Sequence, residues 1–353
     1  MEIAQRQPFP SAPSMDDLSG TTGRHAASET SAMKAGAIGA NGKALLHAAR
    51  ELLDAQDKRY GAHAKLQAEV TALQKEAAKA RDSGTDGVNS LHLEALRVAL
   101  DGVALSEKLD RPREKAAIDA HARLMPGAGD TPAASAYADA EMASGQNLGE
   151  IWQELADMIG TSQDGELAEY AAALDKYTAL YQSLSDIMAK LGGWVRADGD
   201  NYMRVDFGNL YTELDNLVSA YDNPTQDKVI AGKAPSGGIS EAEAKDVCER
   251  LGLDPKECVH RNNDGTYCVV PDVSQVRKMI EGLPSTQNNY QISIASYNAW
   301  KAGFDSQMSR VEDALQTRGQ KYSNAYSRFE NFHKTISSII QTMADMLRQF
   351  LQF

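Results

Sequence analysis

The sequence predicts a mainly α-helical protein: a long intramolecular antiparallel coiled coil carrying an N-terminal helical hairpin and a small inserted α+β subdomain. Three observations lead there. The stretch from Ser296 to Phe353 contains no proline and only two glycines, Gly303 and Gly319. An earlier stretch carries Tyr170, Leu174, Tyr177, Tyr181, Leu184, Met188 and Leu191 in alternating steps of four and three, a heptad seam. Between the two, the helical period is lost and Asp-Gly turns appear at Asp198-Gly199 and Asp264-Gly265.

Composition narrows the function. The 353 residues carry a net charge of −13, which argues against nucleic-acid binding and against docking on anionic lipid by charge alone. Aromatic residues make up only 7%, which favours helices over a large β-sandwich. No apolar run approaches the ~18 residues that a bilayer span requires.

Residues 1–40 are rich in Ser, Thr, Ala, Gly and Pro and lack the charged and apolar regions of a Sec signal peptide. They are expected to be a disordered leader, a form that an export apparatus could read unfolded. Residues 41–145 are expected to form the hairpin. In its first helix Leu45, Leu46, Leu52 and Leu53 open an apolar face that Leu66, Val70 and Leu73 continue. "DSGTDGVNS" breaks that helix; "LHLEALRVALDGVALSEKL" and "REKAAIDAHARLM" read as a second and a third. A Gly/Pro/Ala/Ser-rich linker follows.

The coil is assigned to residues 150–193 and 293–353, with a stop expected at Gly192-Gly193. In the second half, Met308, Leu315, Tyr322, Phe329, Ile336, Met343 and Phe350 recur at a strict seven. The companion series is Phe304, Val311, Arg318, Ala325, Phe332, Ile339, Met346 and Phe353, with Arg318 its single polar member. A strict seven demands supercoiling against another helix, and residues 151–191 offer one. At ~1.5 Å per residue the two helices would be about 85 and 60 Å long. Residues 194–289 are expected to form the mixed insertion, with strands around Asp198-Gly199, a hairpin at Asp264-Gly265 and a capping box at Ser240 and Glu243.

Motifs for catalysis are absent: there is no nucleophile elbow, P-loop, dinucleotide fingerprint or HExxH. His260, Asn262 and Asp264 resemble the start of a calcium loop, but its twelfth position is Pro271 rather than Glu. Cys248, Cys258 and Cys268 match no zinc spacing; buried thiols are expected, with a 248–258 or 258–268 bridge as the alternative. No catalytic residue, metal or cofactor is assigned. Near the C-terminus Ile340, Leu347 and Leu351 widen the apolar face beyond what one partner helix covers. That face either packs on the hairpin or insertion, or docks a helix of another protein.

The runs "SDIMAKLGGWV" (185–195), "YNAWKAGF" (297–304) and "QKYSNAYSRFENFHKTISSII" (320–340), with the order of parts, resemble the type III secretion needle-tip family, the IpaD/SipD/BipD-like invasion proteins. The likeness covers about residues 150–353; before 145 only the hairpin layout matches. It implies a non-enzymatic protein secreted through the type III apparatus and located on the bacterial surface at the needle tip. There it would cap the needle, regulate secretion and support assembly of the translocator pore on host cells. Implied partners are the needle subunit, a hydrophobic translocator, further copies of itself in a pentamer, and bile salts bound beside the coil. The hairpin would act as an internal chaperone. By the same analogy Ile340, Met343, Asp345, Leu347, Arg348, Phe350, Leu351 and Phe353 are the candidate needle contacts. The alternative is a generic secreted coiled-coil adaptor or another translocon component, also non-enzymatic. A pore-forming translocator is disfavoured because it needs apolar membrane segments.

Overall fold

A computed structural model describes residues 28–83, 90–124, 159 and 162–351. Helix α1 spans Ser28–Ser83 and α2 spans Ser90–Leu124. They lie antiparallel, tied by Arg113 to Glu51 at 2.9 Å and to Asp54 at 2.8 Å, and by His92 to Glu76 at 3.5 Å. Two expectations are corrected. The first helix begins at Ser28, inside the stretch read as leader, because extending a helix already formed downstream costs less than starting one. The second and third helices are one, running through Pro112. That proline cannot donate to the carbonyl of Lys108, but both residues face solvent, so water can satisfy the carbonyl. Residues 1–27 of the leader, and the linker at 125–158 with the first residues assigned to the coil, lie outside the described residues.

Helix α3 spans Ser162–Trp194. It continues through Gly192 and Gly193, which are helical rather than a left-handed stop; the chain turns only where Val195 enters β1 (Val195–Ala197). Strand β2 (Tyr202–Val205) pairs antiparallel with β1. Helix α4 (Phe207–Asp222) presents Phe207, Leu210, Leu214, Val218 and Tyr221 to the core. A short β3 (Ala231–Gly232) precedes α5 (Glu241–Leu251). The capping box of α5 is complete: Glu243 N–H donates to Ser240 Oγ at 3.2 Å and Ser240 N–H to Glu243 Oε2 at 2.9 Å. Helix α6 (Pro255–Cys258), strands β4 (Val259–Arg261) and β5 (Tyr267–Val269), and α7 (Ser274–Glu281) complete the insertion. Gly265, at φ 84°, makes the β4–β5 turn.

Strand β6 (Tyr290–Ser293), between the insertion expected to end at 289 and the coil expected to begin at 293, joins the first sheet in the order β1-β2-β6. The second sheet runs β3-β5-β4. Both sheets are antiparallel and only three strands wide. Cys248, Cys258 and Cys268 are buried and free. Burial pushes the thiol of Cys248 up to about 11 and raises the other two.

Helix α8 spans Ile294–Leu351, 58 residues. It runs antiparallel to α3, as the Glu166–Arg328 pair at 3.2 Å and the Arg318 guanidinium 5.4 Å from the Tyr177 ring show. On α3, Leu174, Tyr177, Tyr181 and Leu184 are buried, while Tyr170 and Met188 are half-buried against the same core. On α8, Val311, Leu315, Tyr322, Phe329 and Ile336 are buried and Met308 is half-buried. The seam is not the property of two helices alone. Helix α1 lies antiparallel on α8, and at Gly319 the approach is close enough that a Cβ would stand 3.3 Å from Val70 Cγ1.

Arg318, the polar exception in the seam, serves the insertion. Its guanidinium donates to the carbonyls of Leu251 and Gly252, and Lys321 Nζ donates to Leu251 O at 2.9 Å. Two cations therefore close the C-terminus of α5, where Gly252 turns left-handed at φ 65°.

Candidate partner-binding face at the distal end of the final helix

The hairpin covers α8 through two apolar contacts separated by a polar layer. The larger core holds Leu66, Val70 and Leu73 of α1, Leu93 to Val103 of α2, and α8 as far as Phe329. The smaller, distal core joins Ala49 and Leu52 of α1, Ala117 of α2, Ile159, and Ile336, Ile340 and Met343 of α8.

Between them Arg59 is fully buried. Its Nη1 donates to both carboxylate oxygens of Glu114, at 3.0 and 2.7 Å, and its Nη2 to Glu107 at 2.7 Å. His63 Nε2 lies 3.3 Å from the same Glu107 oxygen, and His63 Nδ1 lies 3.0 Å from the Tyr322 hydroxyl. Burial works to raise Glu107, but the hydrogen bond from His63 and the charge of Arg59 outweigh it and hold the carboxyl at about 2. Gln56 is fully buried, and its amide has no hydrogen-bond partner among the described residues. His333 of α8 stacks on Tyr60 with ring centroids 4.3 Å apart and points Nε2 at Asp57, 3.4 Å away. Burial lowers the pKa of His333, partly offset by Asp57.

A buried ion network of this kind adds little net stability over apolar packing but resists removal of any one member. It also fixes the register of α1 against α2, the two helices its ion pairs join, because a helical shift would strand charges in an apolar core. The sequence reading did not identify this layer, although the heptads of the hairpin display it. The row Leu45, Leu52, Arg59, Leu66, Leu73 is apolar except at Arg59; the row Leu93, Leu100, Glu107, Glu114 turns acidic where it meets Arg59.

The expected contact residues separate into groups. Ile340 and Met343 lie buried under the hairpin. Asp345 and Arg348 are exposed and ion-paired at 2.5 Å. The side chains of Leu347, Phe350 and Leu351, and all of Phe353, lie outside the described residues. Among the described residues no helix is long and apolar enough to cross a membrane, and no group of three or more His, Cys, Asp or Glu is placed to hold a metal ion.

These features define an extended helical scaffold that keeps an apolar stripe of its longest helix beneath its own hairpin. The chain belongs to the family of type III secretion systems tip complex components, which its residues 7–351 match. It is 32% identical over 212 residues to the cell invasion protein SipD of Salmonella typhimurium, covering 58% of this chain and 61% of that one. To the invasin IpaD of Shigella flexneri it is 29% identical over 225 residues, covering 62% and 65%. These alignments thus span less than two thirds of the relatives' own length. A solved structure of BipD, a type III secretion component of Burkholderia pseudomallei, superposes with a TM-score of 0.53 at 22% identity over 82% of this chain and 98% of that one; it shares the fold.

Proposed function

We propose that the chain caps the needle of a type III secretion apparatus, regulates effector secretion and provides the platform on which a hydrophobic translocator assembles its pore. It is a non-enzymatic scaffold, exported through the apparatus and held at the needle tip, where copies of it surround the needle end. Family membership supports the reading. The observation that carries it is the distal stripe of α8, with Ile336, Ile340 and Met343 sealed by the hairpin through a contact separate from the main core. Such a stripe can exchange its own hairpin for a helical partner of similar shape. In this reading the hairpin is an intramolecular chaperone and the needle subunit is the partner.

Co-sedimentation with assembled needle subunit tests this. The full chain should bind, and a chain lacking residues 347–353 should not, while retaining the helical signal of the parent. A bacterium producing the truncated chain should lose regulated secretion. Undiminished binding by the truncated, folded chain would exclude this end as the needle contact.

A further inference from the structure

The outer face of α2, turned away from both cores, carries a pattern that the hairpin's packing does not explain. Val98, Leu105 and Leu109 are 63%, 57% and 54% exposed. Beside them run the small residues Ala95 and Gly102, and together these form the wall of a groove between α2 and α1 with a volume of about 880 Å³. Along the opposite flank of the stripe lies a row at a strict seven: Glu94, Asp101, Lys108, Lys115, acidic in its first half and basic in its second. All four are exposed and none has an ion-pair partner among the described residues. The α1 wall repeats the polarity, with Glu69 toward the acidic end and Lys65 and Lys58 toward the basic end.

We propose that two copies of this chain pair through this face, α2 against α2, antiparallel about a two-fold axis. A row that is acidic then basic repels a parallel copy of itself and complements an antiparallel one, since flanking charges set helix orientation. Setting Asp101 against Lys108 of the second copy also sets Glu94 against Lys115. The same register places Leu105 over Gly102 of the second copy and Val98 against Leu109, large on small and apolar on apolar. One register therefore satisfies both charge and volume. The contact is isologous, so it closes on itself and cannot generate a five-membered ring. It describes a pairing of the chain away from the needle end, and it does not rest on needle binding.

Sedimentation velocity on the full chain, across a concentration series at low ionic strength, tests the pairing. The parent should show a monomer–dimer equilibrium. E94K/D101K, with an all-basic row, and K108E/K115E, with an all-acidic row, should each weaken it by about tenfold or more. An equimolar mixture of the two variants should regain dimers, as a row-to-row contact requires, while the orientation is read from the parent, whose acidic-then-basic row repels a parallel copy of itself. Leu105→Glu should abolish pairing with the hairpin still helical by circular dichroism. A parent that stays monomeric throughout overturns the proposal, and is the expected result if residues 125–158 of the same chain, or a helix of another protein, occupy the groove. Variants that dimerise like the parent, or a mixture that stays monomeric, overturn it equally.

Discussion

The hydroxyl of Tyr322, in the seam of the final helix, donates to the backbone carbonyl of His63 in the hairpin at 3.1 Å, and lies 3.0 Å from that residue's Nδ1. A residue placed by its heptad in the coil thus holds the hairpin. The bond stands at the border where the apolar core ends and the layer of Arg59, Glu107 and Glu114 begins. The hairpin is consequently attached in a single register, by a contact whose middle is polar and whose distal part is a small apolar core.

Removing Arg59 should be far more damaging than removing the whole network. In Arg59→Leu the carboxylates of Glu107 and Glu114 remain in a site from which Arg59 has gone, at a cost of about 3–5 kcal/mol. The triple substitution Arg59→Leu, Glu107→Leu, Glu114→Leu should return stability to the parent's level or above it. Denaturant melts, with hydrogen exchange followed on α1, measure both; a single variant as stable as the triple contradicts the network's role.

The layer also gives stability two separate pH windows. His333 has a pKa lowered by burial from its ordinary 6.5, so the unfolded chain takes up a proton first. Its contribution is present above pH 6.5 and is lost as pH falls through the lowered folded value. Glu107 is depressed from 4.5 to about 2, so its contribution is present above pH 4.5 and is lost only as pH falls toward 2. His333→Phe, which keeps the stack on Tyr60, should flatten the melting temperature just below pH 6.5 and leave the acid limb unchanged. An unaltered profile in both windows would remove His333 from the account.

Much of this was legible in the sequence, and the failures have physical causes. The seam of α8 is visible because a buried face on so long a helix must repeat every seven residues, and the insertion because Ser240 with Glu243 and Asp264-Gly265 are local signals that need no tertiary context. Strand β6 was not, because Tyr290–Ser293 gains its strand character from pairing with β2 and runs directly into α8. Gly192-Gly193 misled because glycine permits a left-handed stop without compelling one. Periodicity also reports that Tyr322 and Phe329 are buried without saying against what: they face Tyr60 and His63 of α1 as well as the coil. Of the candidate contact face, the width of the stripe at Ile340 could be read, but its cover stayed open between the hairpin or insertion and a helix of another protein, because periodicity does not name a partner.

The three thiols should be unreactive while the fold persists. Cys248, Cys258 and Cys268 are buried, and burial raises all three above the ordinary thiol range, which keeps them protonated at neutral pH. An aromatic disulfide reagent should titrate none quickly in the native protein and all three after denaturation. Fewer than three after denaturation without reductant would indicate a bridge.

Arg318 should control the docking of the insertion on the coil. Arg318→Met keeps the length of the side chain but withdraws both donors from the carbonyls of Leu251 and Gly252. Lys321 still serves Leu251, so the loss should be about 1–3 kcal/mol rather than complete detachment. Hydrogen exchange should quicken in Glu241–Leu251 and leave α1 unchanged. The double variant with Lys321→Met should lose more than the sum of the two, because only then is the Leu251 carbonyl left without a donor. Strict additivity would mean that the two cations act independently.

If the hairpin and the needle subunit compete for the distal stripe, loosening the first should tighten the second. Apparent affinity scales with the fraction of molecules whose binding face is open. A loss of about 3 kcal/mol in hairpin docking raises a small open fraction by roughly a hundredfold. Arg59→Leu lies outside the distal core and leaves Ile336, Ile340 and Met343 intact, so it should bind assembled needle subunit more tightly than the parent. The triple leucine variant, whose hairpin is held by apolar packing, should bind no better than the parent. Ile340→Asp weakens the hairpin's distal contact too, but it damages the stripe itself, and should bind the needle less well although its hairpin is loose. Equilibrium binding of the four proteins to assembled needle subunit therefore gives an order that stability alone cannot produce. Equal affinities for the parent, Arg59→Leu and the triple variant would show that the hairpin does not cover the needle contact, and would shift the search to the last turn of α8.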